Sequence, residues 1–156
     1  MTTAASPATD VRHAPWSRRV VAYLIDSAIL AVIPLIMVAV ALLMTAGSQG
    51  TDEPGPLGVT LMVAGVLVNI GLLVWNRGLR QGRTGRSVGK SVVGLRLLDE
   101  RTSSPVGGGT AIWRDFVHVL DSSAAGLGYL WPLWDAKRQT FADKILHTVV
   151  LDDSSA

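Results

Sequence analysis

Arg19 and Asp26 are the first residues of this sequence whose types and spacing could do chemistry. They lie seven positions apart, so on a helix they share one face, about 10 Å apart along the axis. Between Val20 and Ala46, Asp26 is the only acidic or basic residue. A carboxylate in such a stretch costs about 2.5–3.5 kcal/mol to place in a bilayer. A partner must therefore compensate it, either as a structural lock between helices or as part of an ion-binding site.

Asn69 is one candidate partner for Asp26. It lies about six residues before the end of a second apolar run at Trp75, and Asp26 lies about six residues inside the start of the first run. Two antiparallel helices with the same rise per residue place these side chains at the same depth. The spacing predicts a hydrogen bond between Asn69 and Asp26, with an orientation of Asn69 toward other groups as the alternative.

A second candidate is an echo of the opening pair. Arg114 and Asp121 have the spacing of Arg19 and Asp26, with apolar residues between them. If the two helices pack side by side, Arg114 could reach Asp26 and Arg19 could reach Asp121, which would form a crossed ionic cluster. Ten residues are few, so a chance similarity is the competing explanation.

Long apolar blocks predict the elements that position these residues. The chain is 49% hydrophobic with a mean hydropathy of +0.38, and its charges lie between the blocks. Residues 20–46 and 57–76 are long enough to cross a bilayer. Pro34 removes the donor that would bond the carbonyl of Leu30, so we expect a kink in the first span. Two transmembrane helices are predicted.

The orientation of the spans follows from their basic flanks. The loop between the spans contains no Lys or Arg. The N-terminus and the segment after the second span are therefore predicted to be cytoplasmic, in a multi-pass protein of a bacterial cell membrane. The basic residues before the first span are Arg12, Arg18 and Arg19, and those after the second are Arg77, Arg80, Arg83, Arg86, Lys90, Arg96 and Arg101.

The basic loop 77–110 contains a strand-like segment, Ser91–Asp99, whose natural partner is Thr148–Asp152. Residues 111–135 are apolar, but a single span there would bury Arg114 and Asp121 and move the following lysines to the far side. We prefer a short re-entrant helical hairpin, with helices at about 110–122 and 126–135, over an ordinary third span. The predicted fold class is an all-α membrane protein with a small cytoplasmic two-stranded β element.

Other function classes find little support in the sequence. The chain has no cysteine, its three histidines lack metal-ligand spacing, and no catalytic constellation is visible. The segment GRSVGKS at residues 85–91 has one residue too few for a nucleotide-binding P-loop, and its strand follows the loop. The basic residues are explained by membrane topology, which disfavours nucleic acid as a partner and favours anionic lipid headgroups. We expect no enzyme activity and no cofactor.

Three segments carry a resemblance to the RDD family of bacterial membrane proteins, named for one arginine and two aspartates. They are WSRRVVAYLID at 16–26, GRSVGKSVVGLR at 85–96 and WDAKRQTFADKILHTVV at 134–150. The resemblance covers about residues 15–151. It implies that Arg19 and Asp26 are signature residues and that the second aspartate is Asp143, with Asp135 as runner-up. Family members often carry His before that aspartate, where this chain has Ala142.

The resemblance implies a multi-pass membrane protein without a defined molecular function. We expect a disordered tail at 1–15, a membrane domain at 16–151 and a short tail at 152–156. Two spans and a hairpin are too few helices to enclose a pathway, which favours an accessory or structural membrane subunit. Proton or sodium exchange at Asp26 through a homo-oligomer is the alternative, because a buried carboxylate binds either cation.

Overall fold

A computed structural model describes residues 12–47, 55–123 and 125–154. Most of these residues are helical, and two helices are long and apolar enough to cross a membrane. The elements in chain order are α1 (Trp16–Gly47), α2 (Pro56–Leu73), a π-helical segment (Val74–Arg80), α3 (Gln81–Thr84), α4 (Val88–Val92), β1 (Leu95–Asp99), α5 (Gly108–Ser123), α6 (Leu127–Leu130), a 3₁₀ turn (Trp131–Leu133), α7 (Phe141–Ile145) and β2 (Thr148–Asp152).

The first long helix, α1, runs for 32 residues through Pro34, a length of about 48 Å against the roughly 30 Å of a bilayer core. Its apolar side chains are largely exposed, Leu43 to 74%. The carbonyl of Leu30, which Pro34 leaves without an amide partner, accepts a 2.5 Å hydrogen bond from Nδ2 of Asn69. The predicted bond from Asn69 to Asp26 is therefore wrong: Asn69 bonds to backbone one turn deeper.

The second long helix continues beyond its predicted end at residue 76. Helix α2, the π-helical segment and α3 follow one another without a break from Pro56 to Thr84. Depth in the helix pair must be counted from this end. Asn76 lies eight residues before Thr84 and Asp26 ten residues after Trp16, so Asn76, and not Asn69, matches the depth of Asp26.

Strands β1 and β2 pair antiparallel, as predicted, with Leu97 opposite Val150 at the centre of the register. The predicted strand began at Ser91, which is wrong for its first residues. Ser87 accepts a hydrogen bond from the amide of Lys90 and so caps the short helix α4, which runs through Val92. Period-two alternation alone could not reveal that cap.

Two further segments extend the sheet at its edges. His13 forms an isolated bridge to Leu151, and Ala14 is fully buried with its amide bonded to the carbonyl of Val150. The predicted disordered tail is therefore wrong for residues 12–14, and residues 1–11 lie outside the described part of the chain. On the opposite edge, Pro105 forms a bridge to Leu98.

The region 108–134 forms two helical pieces, α5 and then α6 with its 3₁₀ turn, separated at Gly126, whose φ is +77°. A left-handed residue of this kind ends a helix and is best supplied by glycine. The predicted break near Gly126 is confirmed, and no continuous third span exists in residues 108–123 and 125–134.

The fold contains an internal repeat that was not predicted from the sequence. Helix α4 with β1 and helix α7 with β2 have the same lengths and spacing, offset by 53 residues. Position 97 pairs with position 150, its own counterpart, which is the register a twofold axis through that pair produces. The edge bridges obey the same relation, because the equivalent residues Leu98 and Leu151 each receive the segment that precedes the other repeat's long helix. Residues 12–99 form the first repeat and residues 104–152 the second.

Candidate functional site: a buried ion triad beside a cationic cavity

Asp143 lies at the centre of a buried ion triad with Arg19 and Arg114, which we call the Asp143 triad. Nη1 of Arg19 donates to Oδ2 at 2.8 Å, and Nε and Nη2 of Arg114 both lie 2.8 Å from Oδ1. The hydroxyl of Thr148 also donates to Oδ1, at 2.9 Å. The Asp143 side chain has no exposed surface, and those of Arg19 and Arg114 are 12% and 8% exposed.

Helix α7 holds Asp143 through a capping box. Thr140 is the N-cap, its hydroxyl accepts from the amide of Asp143, and the Asp143 carboxylate accepts from the amide of Thr140. Burial alone would raise the pKa of this carboxyl, but Arg114 and Arg19 outweigh it and hold the pKa well below 3.8. Asp143 is therefore an anion at every physiological pH.

Asp26 is compensated in a different way, because its hydrogen-bond donors among the described residues are neutral. Its Oδ1 accepts from Nδ2 of Asn76 and from the amide of Gly89, both at 2.8 Å, and its Oδ2 accepts from the hydroxyl of Ser87 at 2.6 Å. Asn76 is oriented in turn, because its side-chain oxygen accepts from the amide of Val88. A hydrogen bond to a charged group is worth about 1.5–3 kcal/mol, so three of them offset the cost of placing Asp26 in an apolar span.

Gly89 is what lets α4 approach the first helix so closely. A Cβ at Gly89 would overlap the carbonyl oxygen of Ala22 and press on the carboxyl carbon of Asp26. With no side chain there, the backbone at the start of α4 reaches the carboxylate directly. The segment GRSVGKS, which resembles a P-loop only superficially, thus uses its backbone to bind the protein's own carboxylate.

Asp121 has an arrangement equivalent to that of Asp26. It is fully buried, its Oδ1 accepts from the amide of Phe141 at 2.9 Å, and its Oδ2 lies 2.6 Å from Nδ1 of His118. Phe141 is the first residue of α7 and Gly89 is the second residue of α4, so both amides belong to the first turn of a short helix. In each repeat an aspartate seven residues after an arginine therefore accepts from the first turn of a short capped helix of the same repeat.

The crossed cluster predicted from the sequence is wrong in its pairing. Arg114 does not bind Asp26, and Arg19 does not bind Asp121; both arginines converge on Asp143 instead. The echo was a true sign of the repeat, but each aspartate is held by a helix N-terminus of its own half.

Asp135, the runner-up for the second signature aspartate, lies elsewhere. It pairs with Nζ of Lys144 at 2.5 Å and accepts from the amides of Lys137 and Gln139. It therefore organises the loop between the 3₁₀ turn and α7. Of the seven candidate residues, the structure joins Arg19, Arg114 and Asp143 directly.

The sequence reading missed several partners of these groups, namely Asn76, Ser87, Gly89, Thr140 and Thr148. Ser87 and Thr140 carried a usable signal, because Ser and Thr favour helix N-caps. Asn76 would have followed from placing the end of the second helix at residue 84.

A cavity of about 460 Å³ lies between the two repeats, next to the Asp143 triad. Both repeats line it, and Lys90 is a wall residue whose Nζ donates to Oε1 of Gln81 at 2.6 Å. Burial, reinforced by Arg114, lowers the pKa of Lys90 to about 7. Within the described residues no group of three or more His, Asp or Glu side chains could hold a metal ion. The ionisable lining residues are Arg19, Asp26, Arg77, Lys90, Arg114, Asp115 and His118.

Comparison with known proteins places this architecture in a family. The RDD family profile matches residues 13–147, most of the chain. The chain belongs to the RDD family. The signature residues inferred for an RDD protein here, Arg19 and Asp143, are in direct contact, whereas Asp26 lies on the first helix with its own set of donors.

Two curated relatives of this RDD protein are similar over most of its length. It is 36% identical over 148 residues to the proline-rich antigen of Mycobacterium leprae (strain TN), which covers 87% of this chain and 59% of that protein. It is 36% identical over 149 residues to the proline-rich antigen homolog of Mycobacterium tuberculosis (strain ATCC 25618 / H37Rv), with 88% and 62% covered. The chain thus spans about three-fifths of the length of these relatives. No solved structure matches it.

Proposed function

We propose that this RDD protein is an accessory or structural membrane subunit in a bacterial cell membrane, and not an enzyme. The observation that carries the proposal is the bonding of the two signature carboxylates: Asp26 accepts three hydrogen bonds and Asp143 contacts two arginines, all from described residues of this chain. Such bonding suits groups that hold helices together. Two spanning helices with exposed apolar flanks also leave surface for a homo-oligomer or a larger membrane complex.

The proposed orientation puts the N-terminus and the sheet in the cytoplasm, with the basic loop on anionic headgroups. The supporting fact is charge placement: basic residues flank the start of the first span and the end of the second. Since the chain lacks cysteine, single introduced cysteines report topology cleanly. A cysteine at Thr102 should react with a membrane-impermeant reagent only after the inner face is opened, and one at Gly55, at the start of the second span, should react from outside. The reverse pattern would overturn the orientation.

The subunit proposal is tested by photo-crosslinking in intact membranes. A photoreactive side chain at Leu43, exposed on the first helix, should give one discrete product, and the same side chain at Arg83, beyond the apolar belt, is the control. A product of twice the chain's mass indicates a homo-oligomer, and a heavier single product indicates a separate partner. Crosslinks to lipid alone would contradict the proposal.

Ion or small-solute transport is the second candidate, favoured by one specific observation: Asp26 lines the cavity between the repeats, and its hydrogen-bond donors among the described residues are neutral groups. Many transporters place their sites at the interface of internal repeats. Proton or sodium flux into proteoliposomes should then exceed background for wild type and fall to background for Asp26→Asn. Asp153→Asn, at the partly exposed ion pair with Arg86 outside the cavity, is the matched control. Background flux for all three proteins would exclude transport.

A further inference from the structure

The cavity between the repeats has an excess of positive charge. Of its lining residues, four are cationic and two are carboxylates. Those two carboxylates are already engaged, Asp26 by its three donors and Asp115 by Arg77 at 3.8 Å. The four cations are Arg19, Arg77, Lys90 and Arg114.

Arg19 lines this cavity and has an unused binding edge. Only its Nη1 bonds to Asp143, and its Nε and Nη2 are buried without a hydrogen-bond partner in the described part of the chain. These two nitrogens form the side-on edge of a guanidinium, the fork that binds oxyanions through two parallel hydrogen bonds. Arg114 uses the same edge, because its own Nε and Nη2 both contact Oδ1 of Asp143.

The internal repeat accounts for the excess of positive charge in the cavity. The offset of 53 residues that relates α4 to α7 places Lys90 at the position equivalent to Asp143. A symmetric molecule would have two carboxylates for its two arginines, and this one has a single carboxylate and a lysine. The Nζ of Lys90, bonded only to an amide oxygen among the described residues, adds to the deficit of negative charge when it is protonated, and a bound anion would favour the protonated form.

We propose that the cavity between the repeats binds a phosphate group, held by Arg19, Lys90 and Arg77. The bound oxyanion supplies the negative charge that a second carboxylate would give in a symmetric molecule. The free edge of Arg19 takes two oxygens, and the ammonium of Lys90 takes a third. A cavity of about 460 Å³ has the size of ordinary small-molecule sites.

Two sources of phosphate share this chemistry, a free phosphate and the headgroup of a lipid. The cavity is lined by the first residues of the first span, including Trp16, and by Arg77 near the end of the second. A lipid phosphate lies at this level of a bilayer, and an inorganic ion can enter from the water. The inference holds whether the protein is a subunit or a transporter.

The first arm of the test uses protein purified in a maltoside detergent, which contains no phosphate. Inorganic phosphate, compared with chloride at equal ionic strength, should raise the Tm of wild type progressively with its concentration. Lys90→Met should weaken the apparent Kd by about tenfold. Lys90→Asp recreates at Ser87 the capping box seen at Thr140 and supplies the missing carboxylate, so it should fold and lose the response. Arg83→Met, which removes a charge outside the cavity, should respond as wild type does.

The second arm replaces the ion with dioctanoyl phosphatidic acid and, as control, dioctanoyl glycerol, which lacks only the phosphate. A response to the lipid phosphate alone identifies a headgroup site, and a response to inorganic phosphate as well identifies a general phosphate site. Arg77→Gln provides a second variant and should weaken either response. Wild type that responds to neither probe, or equal responses in wild type, Lys90→Asp and Arg77→Gln, would overturn the proposal.

Discussion

Asp143 and Asp26 are both buried carboxylates whose oxygens are fully hydrogen-bonded, yet they are neutralised by opposite means. Asp143 binds two guanidinium groups, one from α1 and one from α5. Asp26 accepts hydrogen bonds from an amide side chain, a hydroxyl and a backbone N–H. The first arrangement depends on paired charges and the second on dipoles held in place. Removing the negative charge of Asp143 should therefore leave two buried arginines without an anion, whereas removing that of Asp26 should leave none.

The largest effect is expected for Asp143→Asn. Both arginines would lose their anion while remaining buried, and breaking a buried ion pair in this way costs about 3–5 kcal/mol. Unfolding in mixed micelles, followed by tryptophan fluorescence, measures the change. Asp153→Asn, at the partly exposed pair with Arg86, is the control and should stay within about 1 kcal/mol. Equal losses in the two variants would remove the distinction between the sites.

Acid should reveal the same difference as a pH dependence. Because the pKa of Asp143 in the folded protein lies well below 3.8, its stabilisation is complete above pH 4 and is lost as pH falls toward the folded pKa. The free energy of unfolding of wild type should fall more steeply below pH 4 than that of Asp143→Asn. Parallel curves would show that the triad does not hold this carboxyl charged.

Asp26→Asn should cost only about 1 kcal/mol, because the stronger charge-assisted bonds disappear together with the cost of desolvating the charge. The asparagine oxygen can keep the bonds from Asn76 and Gly89, and its amide can donate to the hydroxyl oxygen of Ser87. The same micelle assay measures it. A loss as large as that of Asp143→Asn would mean that the charge of Asp26 has a hidden cationic partner.

The smallest effect extends the series to a bond with no charge at all. Asn69→Leu should cost about 0.6 kcal/mol, the average found for hydrogen bonds between membrane helices. In a Pro34→Ala background the Leu30 carbonyl regains an amide partner from residue 34, so Asn69→Leu should cost less there. A double-mutant cycle measures this coupling. Additive effects would show that Asn69 does not serve the carbonyl freed by Pro34.

The two spans, the sheet pairing and the break at Gly126 could be predicted because each depends on local chemistry: apolar length, β-branched residues, and a glycine in left-handed backbone. The partner of Leu30 was half visible, since Pro34 predicted a free carbonyl. The pairing of charges was not predictable from spacing on one helix. It depends on α7 being carried to the triad by β2, and on a π-helical segment and α3 that prolong the second helix past Trp75.

The contrast between Asp26 and Asp121 explains why the echo misled. Identical spacing in two helices suggested that arginine of one would meet aspartate of the other. Backbone amides of α4 and α7 bind these aspartates instead, because the capped first turn of α4 lies next to α1 and that of α7 lies next to α5. The sequence showed the part of the repeat that lies in α1 and α5, but not the part formed by α4, β1, α7 and β2.

The ion pair between Arg19 and Asp143 joins residues separated by 124 positions, and this separation orders events in time. The ribosome completes both long helices well before it makes residue 143, and a membrane helix can insert as soon as it is synthesised. Insertion of both helices can therefore precede the triad. The triad cannot form until residue 143 has been made, so until then Arg19 and Arg114 lack their common anion.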